Sequence, residues 1–213
     1  MSSSVDLLGR DYLECLKGTH VDIYVGAERE HFNLPIRLLG YRSSVFKSYF
    51  AQAADPCLLL LPDDDGSTFA VVAQWVYQGT LPPAAYYPII SAVDFGLYFM
   101  ADKFDLKKLQ DEMLAMIAES YISMRAEYTA FTPEAVGRIC RGTSAGSPFR
   151  LFGADVLAYC HVHWGLDVME LRHLFLEFPL FAADFIHAVE EVHAEGGDIG
   201  AARLRHSRRY VHG

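Results

Sequence analysis

Residues 21–50, VDIYVGAEREHFNLPIRLLGYRSSVFKSYF, constrain the fold more tightly than any other stretch of the chain. Val21, Ile23 and Val25 alternate with Asp22 and Tyr24, the period-two pattern of a strand with one buried face. Gly26 to Glu30 is polar and reads as a turn, after which Phe32 and Leu34 resume the alternation on a second short strand. Pro35 stands where a helix begins, a position at which its missing N–H costs nothing. Ile36, Leu39 and Ser43 follow at helical spacing, and Ser43 is placed to cap a further helix carrying Phe46, Tyr49 and Phe50. A two-stranded hairpin is marginal by itself, so this one needs a third strand and a helical cover.

The chain supplies both. Leu58 to Leu61 is an unbroken apolar run bounded by Pro62, short enough to be a strand buried on both faces. Asp63, Asp64, Asp65 and Gly66 form a turn, and Ser67 is expected to cap a helix with Phe69, Val72, Ala73 and Val76 on one side and Gly79 at its end. The three aspartates read as turn residues and helix N-terminal charge rather than as a calcium loop. Such a loop needs spaced oxygen ligands and a distal acid, and no Glu occurs between Glu30 and Glu112. Pro82 and Pro83 interrupt the pattern. Pro88 is expected to open a helix with Ile89, Val93, Leu97 and Met100 inward, and Asp105 to cap another carrying Leu106, Leu109, Met113, Ile117 and Tyr121. Ahead of the hairpin, Val5, Leu8, Tyr12 and Leu16 make one short amphipathic helix ending at Gly18, whose apolar side fits either its own sheet, as in a monomer, or a neighbouring copy. Strands clustered early, with helices gathered around and after them, define an α+β fold rather than alternating βαβ units.

The second half reads as all-helical. Thr132-Pro133 starts a helix that Gly142 stops. Ser147-Pro148 starts another, with Phe149, Phe152, Val156 and Cys160 on one face and Gly165 at its end. Asp167 and Glu170 have the spacing of a capping box ahead of Val168, Leu171 and Phe175. Pro179 opens the last helix, striped by Phe181, Phe185, Ala188 and Val192, and Gly196-Gly197 releases a polar tail in which Arg203, Arg205, Arg208 and Arg209 cluster. No fixed-period repeat occurs, which argues against a solenoid. The expected layout is a sheet-containing domain over 1–120, a helical region over 121–195 and a basic tail over 196–213.

Composition narrows the function classes. With 213 residues, 52% of them hydrophobic, the chain can bury a substantial core, yet no apolar run approaches the roughly 20 residues of a membrane span. A net charge of −9 repels phosphate on average, so nucleic acid is not an expected partner. The first residues carry Asp6 and Asp11 and lack the continuous apolar segment of a secretory signal. Cys15, Cys57, Cys140 and Cys160 are scattered, as free buried thiols of an intracellular protein of cytoplasm or nucleus would be.

Candidate chemistry is sparse. Gly142-Thr143-Ser144-Ala145-Gly146 matches the G-x-S-x-G nucleophile elbow, which would make Ser144 a hydrolase serine. That motif works only when a strand delivers the serine onto the turn, and here a helix precedes it. Cys160 and His163 are neighbours on a helix and carry zinc-ligand atoms, but His161 points elsewhere and a closed site needs two more ligands; His187 and His193 are remote in the chain. Asp94, a lone acid in an apolar helix, reads as a hydrogen-bonded structural group. Neither phosphate-binding loop motif nor the H-E-x-x-H motif occurs. The expectation is a non-enzymatic chain without cofactor or metal.

Taken in order, VDIYVG, Phe32 followed by Leu39, Ser43 and Phe46, the strand LLLLP, the helix ending WVYQGTL, and LYFMADKFDLKKL resemble the BTB/POZ domain, a protein-interaction fold. Tyr77 and Gly79 fall on the family's Tyr-x-Gly, and Ala101, Asp102 and Leu109 on its Ala-Asp…Leu. GTSAGSPFRLFGADVLA, in the second half, is similar to the helical region following the BTB domain in divergent fungal proteins. The resemblance implies a small three-stranded sheet covered by helices, an all-helical C-terminal region, and an adaptor or scaffold that binds an unidentified protein partner and forms a homodimer. In many BTB domains the N-terminal helix packs across a two-fold interface, which points to Leu8, Tyr12 and Leu16. BTB repressors line a charged pocket with an Asp and a basic residue; the Asp matches Asp22, while Ile36 holds the basic position with Arg37 beside it. The usual histidine before the first covering helix is Pro35, and the apolar-x-Glu motif of cullin adaptors has no Glu in the matching AQAADPC, although a ubiquitin-ligase adaptor stays an alternative.

Overall fold

The structure, a computed structural model, describes residues 10–81, 95–123 and 131–194, without the side chains of 119–123. Val5, Leu8, the Pro82-Pro83 break, the start of the Pro88 helix with Ile89 and Val93, Asp94, the Tyr121 side chain and the tail from Gly196 lie outside those residues. The described residues form two compact units, one built from 10–81 and 95–112 and the other from 113–123 and 131–194.

The first unit is α+β, as its pattern requires. After α1 (Arg10–Leu16), β1 (His20–Val25) and β2 (Glu30–Pro35) form an antiparallel hairpin in which Ile23 faces Phe32 and Val21 faces Leu34. Gly26, at φ +72, supplies the left-handed conformation that opens the turn. The chain crosses over through α2 (Ile36–Arg42) and α3 (Ser44–Gln52) to β3 (Leu58–Leu61), which pairs parallel with β1, giving the order β2-β1-β3. Helices α4 (Gly66–Gln78) and α5 (Gly96–Lys103) follow, and α6 (Lys107–Ser123) continues into the second unit. Val21, Ile23, Phe46, Phe69, Trp75, Leu97 and Leu109 are buried in this core.

Local signals place the helix ends. The Ser43 hydroxyl accepts from the Phe46 N–H at 3.0 Å, and Gly79 ends α4 in the left-handed region. Four expectations are corrected here. β3 is not buried on both faces: as an edge strand it covers Leu59 and Leu61 while Leu58 and Leu60 face outward. The cap of α4 is Asp65, whose carboxylate accepts from the Thr68 N–H at 2.7 Å; Ser67 donates its own hydroxyl to that carboxylate. Asp105 does not cap α6, because it sits at φ +50 with its carboxylate holding the Ser44 hydroxyl, and the Gln110 N–H bonds the Leu106 carbonyl instead. The thiols are not uniformly buried, since Cys57 is exposed and Cys15 and Cys160 are half-buried.

The second unit is helical in its described residues. α7 (Pro133–Gly142) and α8 (Pro148–Trp164) start at Thr132 and Ser147, whose hydroxyls accept from Ala135 and Arg150 N–H groups, and Gly165 ends α8 at φ +72. Asp167 caps a single 3-10 turn (Val168–Leu171), not an α-helix, by accepting from Met169, the second residue after it, at 2.8 Å. α9 (Arg172–Glu177) and α10 (Pro179–Ala194) complete the unit, and α10 packs extensively along α8. Phe149, Phe152, Leu157, Leu171, Phe181 and Phe185 are buried there.

Candidate protein interaction surface

Three surfaces of the first unit present side chains that the core does not use. The first is α1. Its Tyr12 hydroxyl donates to the Tyr77 carbonyl at 2.7 Å, which ties the helix to the end of α4. Burial, then the neighbouring Tyr12, pushes the Tyr77 phenol above its ordinary value. Despite that tie, α1 has no buried residue. Tyr12 and Leu16 are half-buried, and Leu13 is 56% exposed. Leu13 escaped the sequence reading because it falls one position off the stripe of Tyr12 and Leu16; the other anticipated residue, Leu8, lies outside the described residues.

The second is the outer face of the sheet, where strand alternation brings His20, Asp22 and Tyr24 beside His31 and Asn33. Asp22 accepts from Asn33 Nδ2 and from His31 Nε2, each at 2.8 Å, and His20 Nδ1 lies 2.7 Å from Asn33 Oδ1. A carboxylate only accepts, so the His31 proton sits on Nε2. These bonds, Asn33 first and His31 next, hold the Asp22 carboxyl below its ordinary value. Tyr24 stacks on His31 with ring centroids 5.0 Å apart, under the Arg29 guanidinium at 5.3 Å. Asp22 is therefore engaged by its cross-strand neighbours, and Arg37, exposed on α2, is not the group that pairs with it. The cross-strand ladder was not anticipated, although residues alternating with Val21 and Ile23 already place Asp22 on the outer face.

The third is the free side of β3. Tyr49, Ala53, Ala54, Asp55 and Leu58 to Leu60 line an open depression of about 390 Å³, and Tyr49 donates its hydroxyl to the Leu58 carbonyl at 3.3 Å.

The candidate chemical groups of the second unit are placed differently. Ser144 is exposed in a turn between α7 and α8, so a helix and not a strand leads into it. Thr143 returns its hydroxyl to the Ile139 carbonyl at 2.7 Å. Next to Cys160, His161 is not a free surface histidine: its Nδ1 meets the Leu166 carbonyl at 2.7 Å and its ring lies against Phe185. His163 packs on Tyr159 with centroids 4.4 Å apart. Among the described residues no three His, Cys, Asp or Glu side chains gather in a metal-binding group. The sequence reading also passed over Arg150, which is buried beneath α10 with its guanidinium over Phe178 and Phe181 and its Nε 3.9 Å from Asp184. Nearby Cys140 has its thiol pushed up to about 11, chiefly by burial, which keeps it protonated and unreactive at neutral pH.

No family model and no curated protein matches this chain. No helix among the described residues is long and apolar enough to cross a membrane.

Proposed function

We propose that this protein is a non-catalytic protein-interaction module of BTB/POZ type, an adaptor or scaffold that self-associates through its first unit. The observation that carries the reading is α1: an amphipathic helix that packs on α2 and is tied by the Tyr12 hydroxyl to the end of α4, yet has no buried residue and turns Leu13 outward. A helix whose apolar side chains covered only their own sheet would bury them, and a second copy offers the cover that α1 lacks. The three-stranded sheet with its covering helices, followed by a helical region, is the layout that the BTB resemblance implies, which supports the same reading.

Light scattering after gel filtration, over a range of concentrations, tests it on the whole chain and on a Leu13→Asp variant. Leu13 is exposed, so the variant leaves the monomer's core intact. Twice the 23.9 kDa monomer mass, falling to one monomer in the variant, is the expected result. A monomer at every concentration overturns self-association.

A further inference from the structure

β3 is an edge strand of unusual chemistry. Among the described residues it pairs with β1 on one side only, where the Cys57 carbonyl accepts from the Asp22 N–H at 2.8 Å and the Leu61 carbonyl from the Gly26 N–H at 2.9 Å. Peptide groups alternate in direction along a strand, so the N–H and C=O groups of Leu58 and Leu60 point to the other side. Tyr49 reaches the Leu58 carbonyl, which leaves both backbone groups of Leu60 facing the open edge. Proteins ordinarily guard such an edge by keeping it short or with lysine, proline or a bulge. β3 is short, at four residues, and Pro62 follows it, but it has no lysine, proline or bulge within it, and Leu58 and Leu60 stand 39% and 52% exposed beside the adjoining depression.

The surroundings select the occupant. Asp55 lines the depression ahead of the strand and exposed Asp63 follows it, while Asp64, the next acid, is already neutralised by Lys103 at 2.6 Å. Among the described residues no lysine or arginine lines the depression. We propose that the free edge of β3 takes up an extended peptide as a fourth strand, one with alternating apolar side chains flanked by basic residues. The peptide backbone pairs with Leu60, its apolar side chains cover Leu58 and Leu60, and its basic ends meet Asp55 and Asp63. This site is separate from α1, so it stands or falls independently of self-association there.

The test measures fluorescence anisotropy of the labelled peptide Lys-Leu-Thr-Val-Thr-Leu-Lys with the full chain, beside the same peptide N-methylated at its three central amides. Strand addition requires the amides, so the methylated peptide is expected to bind about tenfold more weakly or worse. Leu60→Pro removes the outward N–H, which an edge strand tolerates, together with the exposed leucyl side chain, and is expected to weaken the parent peptide to a similar degree or more. Amide exchange at Leu60 slows when the parent peptide binds. Equal binding of both peptides overturns the proposal in favour of nonspecific charge and apolar contact, and so does absence of binding up to about 1 mM. If Leu60→Pro fails to fold, the peptide comparison on the unaltered chain decides alone. A dimer that Leu60→Lys dissociates, in a chain that ignores the peptide, assigns the edge to a second copy and overturns it as well.

Discussion

Replacing Ser43 with alanine removes two interactions at one buried point. Its hydroxyl accepts from the Phe46 N–H at 3.0 Å, capping α3, and donates to the Phe104 carbonyl at 2.5 Å, joining α3 to the end of α5. Ser43 is 1% exposed, so water cannot replace either bond. Loss of a cap costs about 1 kcal/mol. Stranding a buried carbonyl adds about 1–3 kcal/mol, for a total of about 2–4 kcal/mol. The assay is urea unfolding followed by Trp75 fluorescence in a Trp164→Phe background, because Trp75 belongs to the same unit, buried and bonded to Glu112 at 3.0 Å. A loss of that size lowers the midpoint by roughly 1–3 M, with slopes of about 1–3 kcal/mol per M urea. Asp65→Ala, which removes a solvent-facing cap in the same unit, serves as the reference at about 1 kcal/mol. A Ser43→Ala shift no larger than the reference refutes the argument that the tie to Phe104 matters.

Asp65 also makes a prediction about acid. Bonds from the Ser67 and Thr68 hydroxyls and the Thr68 N–H lower its carboxyl below the ordinary 3.8. Its stabilisation is therefore complete above that value and is lost as pH falls through the lowered one, so the stability gap between the natural chain and Asp65→Asn closes below pH 3.8. In the second unit, Asp184→Ala strands the buried Arg150 and is expected to cost about 2 kcal/mol, whereas Arg150→Met with Asp184→Leu is close to neutral by thermal unfolding. Burial raises the Asp184 carboxyl despite the pull of Arg150, and a double variant less stable than Asp184→Ala contradicts this account of the pair. In thiol labelling at pH 8, Cys57 reacts at once and Cys140 only on unfolding, since a thiol raised to about 11 is about one part in a thousand thiolate. Labelling of Cys140 at the rate of Cys57 rejects the packing described for α7.

The legible parts of this chain were those that nearest neighbours decide. Alternation around Val21 and Ile23, the hydroxyls of Ser43, Thr132 and Ser147 three residues ahead of the N–H groups they cap, and the left-handed glycines Gly79 and Gly165 are all local, and they place the hairpin and most helix ends. The local rule failed where several groups compete for one role. Asp65 and Ser67 both suit a helix start, and the carboxylate takes the cap because it accepts from three donors at once, one of them Ser67 itself. Burial was the part that sequence did not determine. Four consecutive leucines read the same whether a strand lies at the centre of a sheet or at its edge; only the order β2-β1-β3 exposes Leu58 and Leu60. Likewise, Arg150 is buried because α10 lies along α8, and Leu13 is exposed because α1 meets α2 and the end of α4 with the side that carries Tyr12. Periodicity is a property of one element, but exposure belongs to pairs of elements, and which elements meet is settled only when the chain has folded.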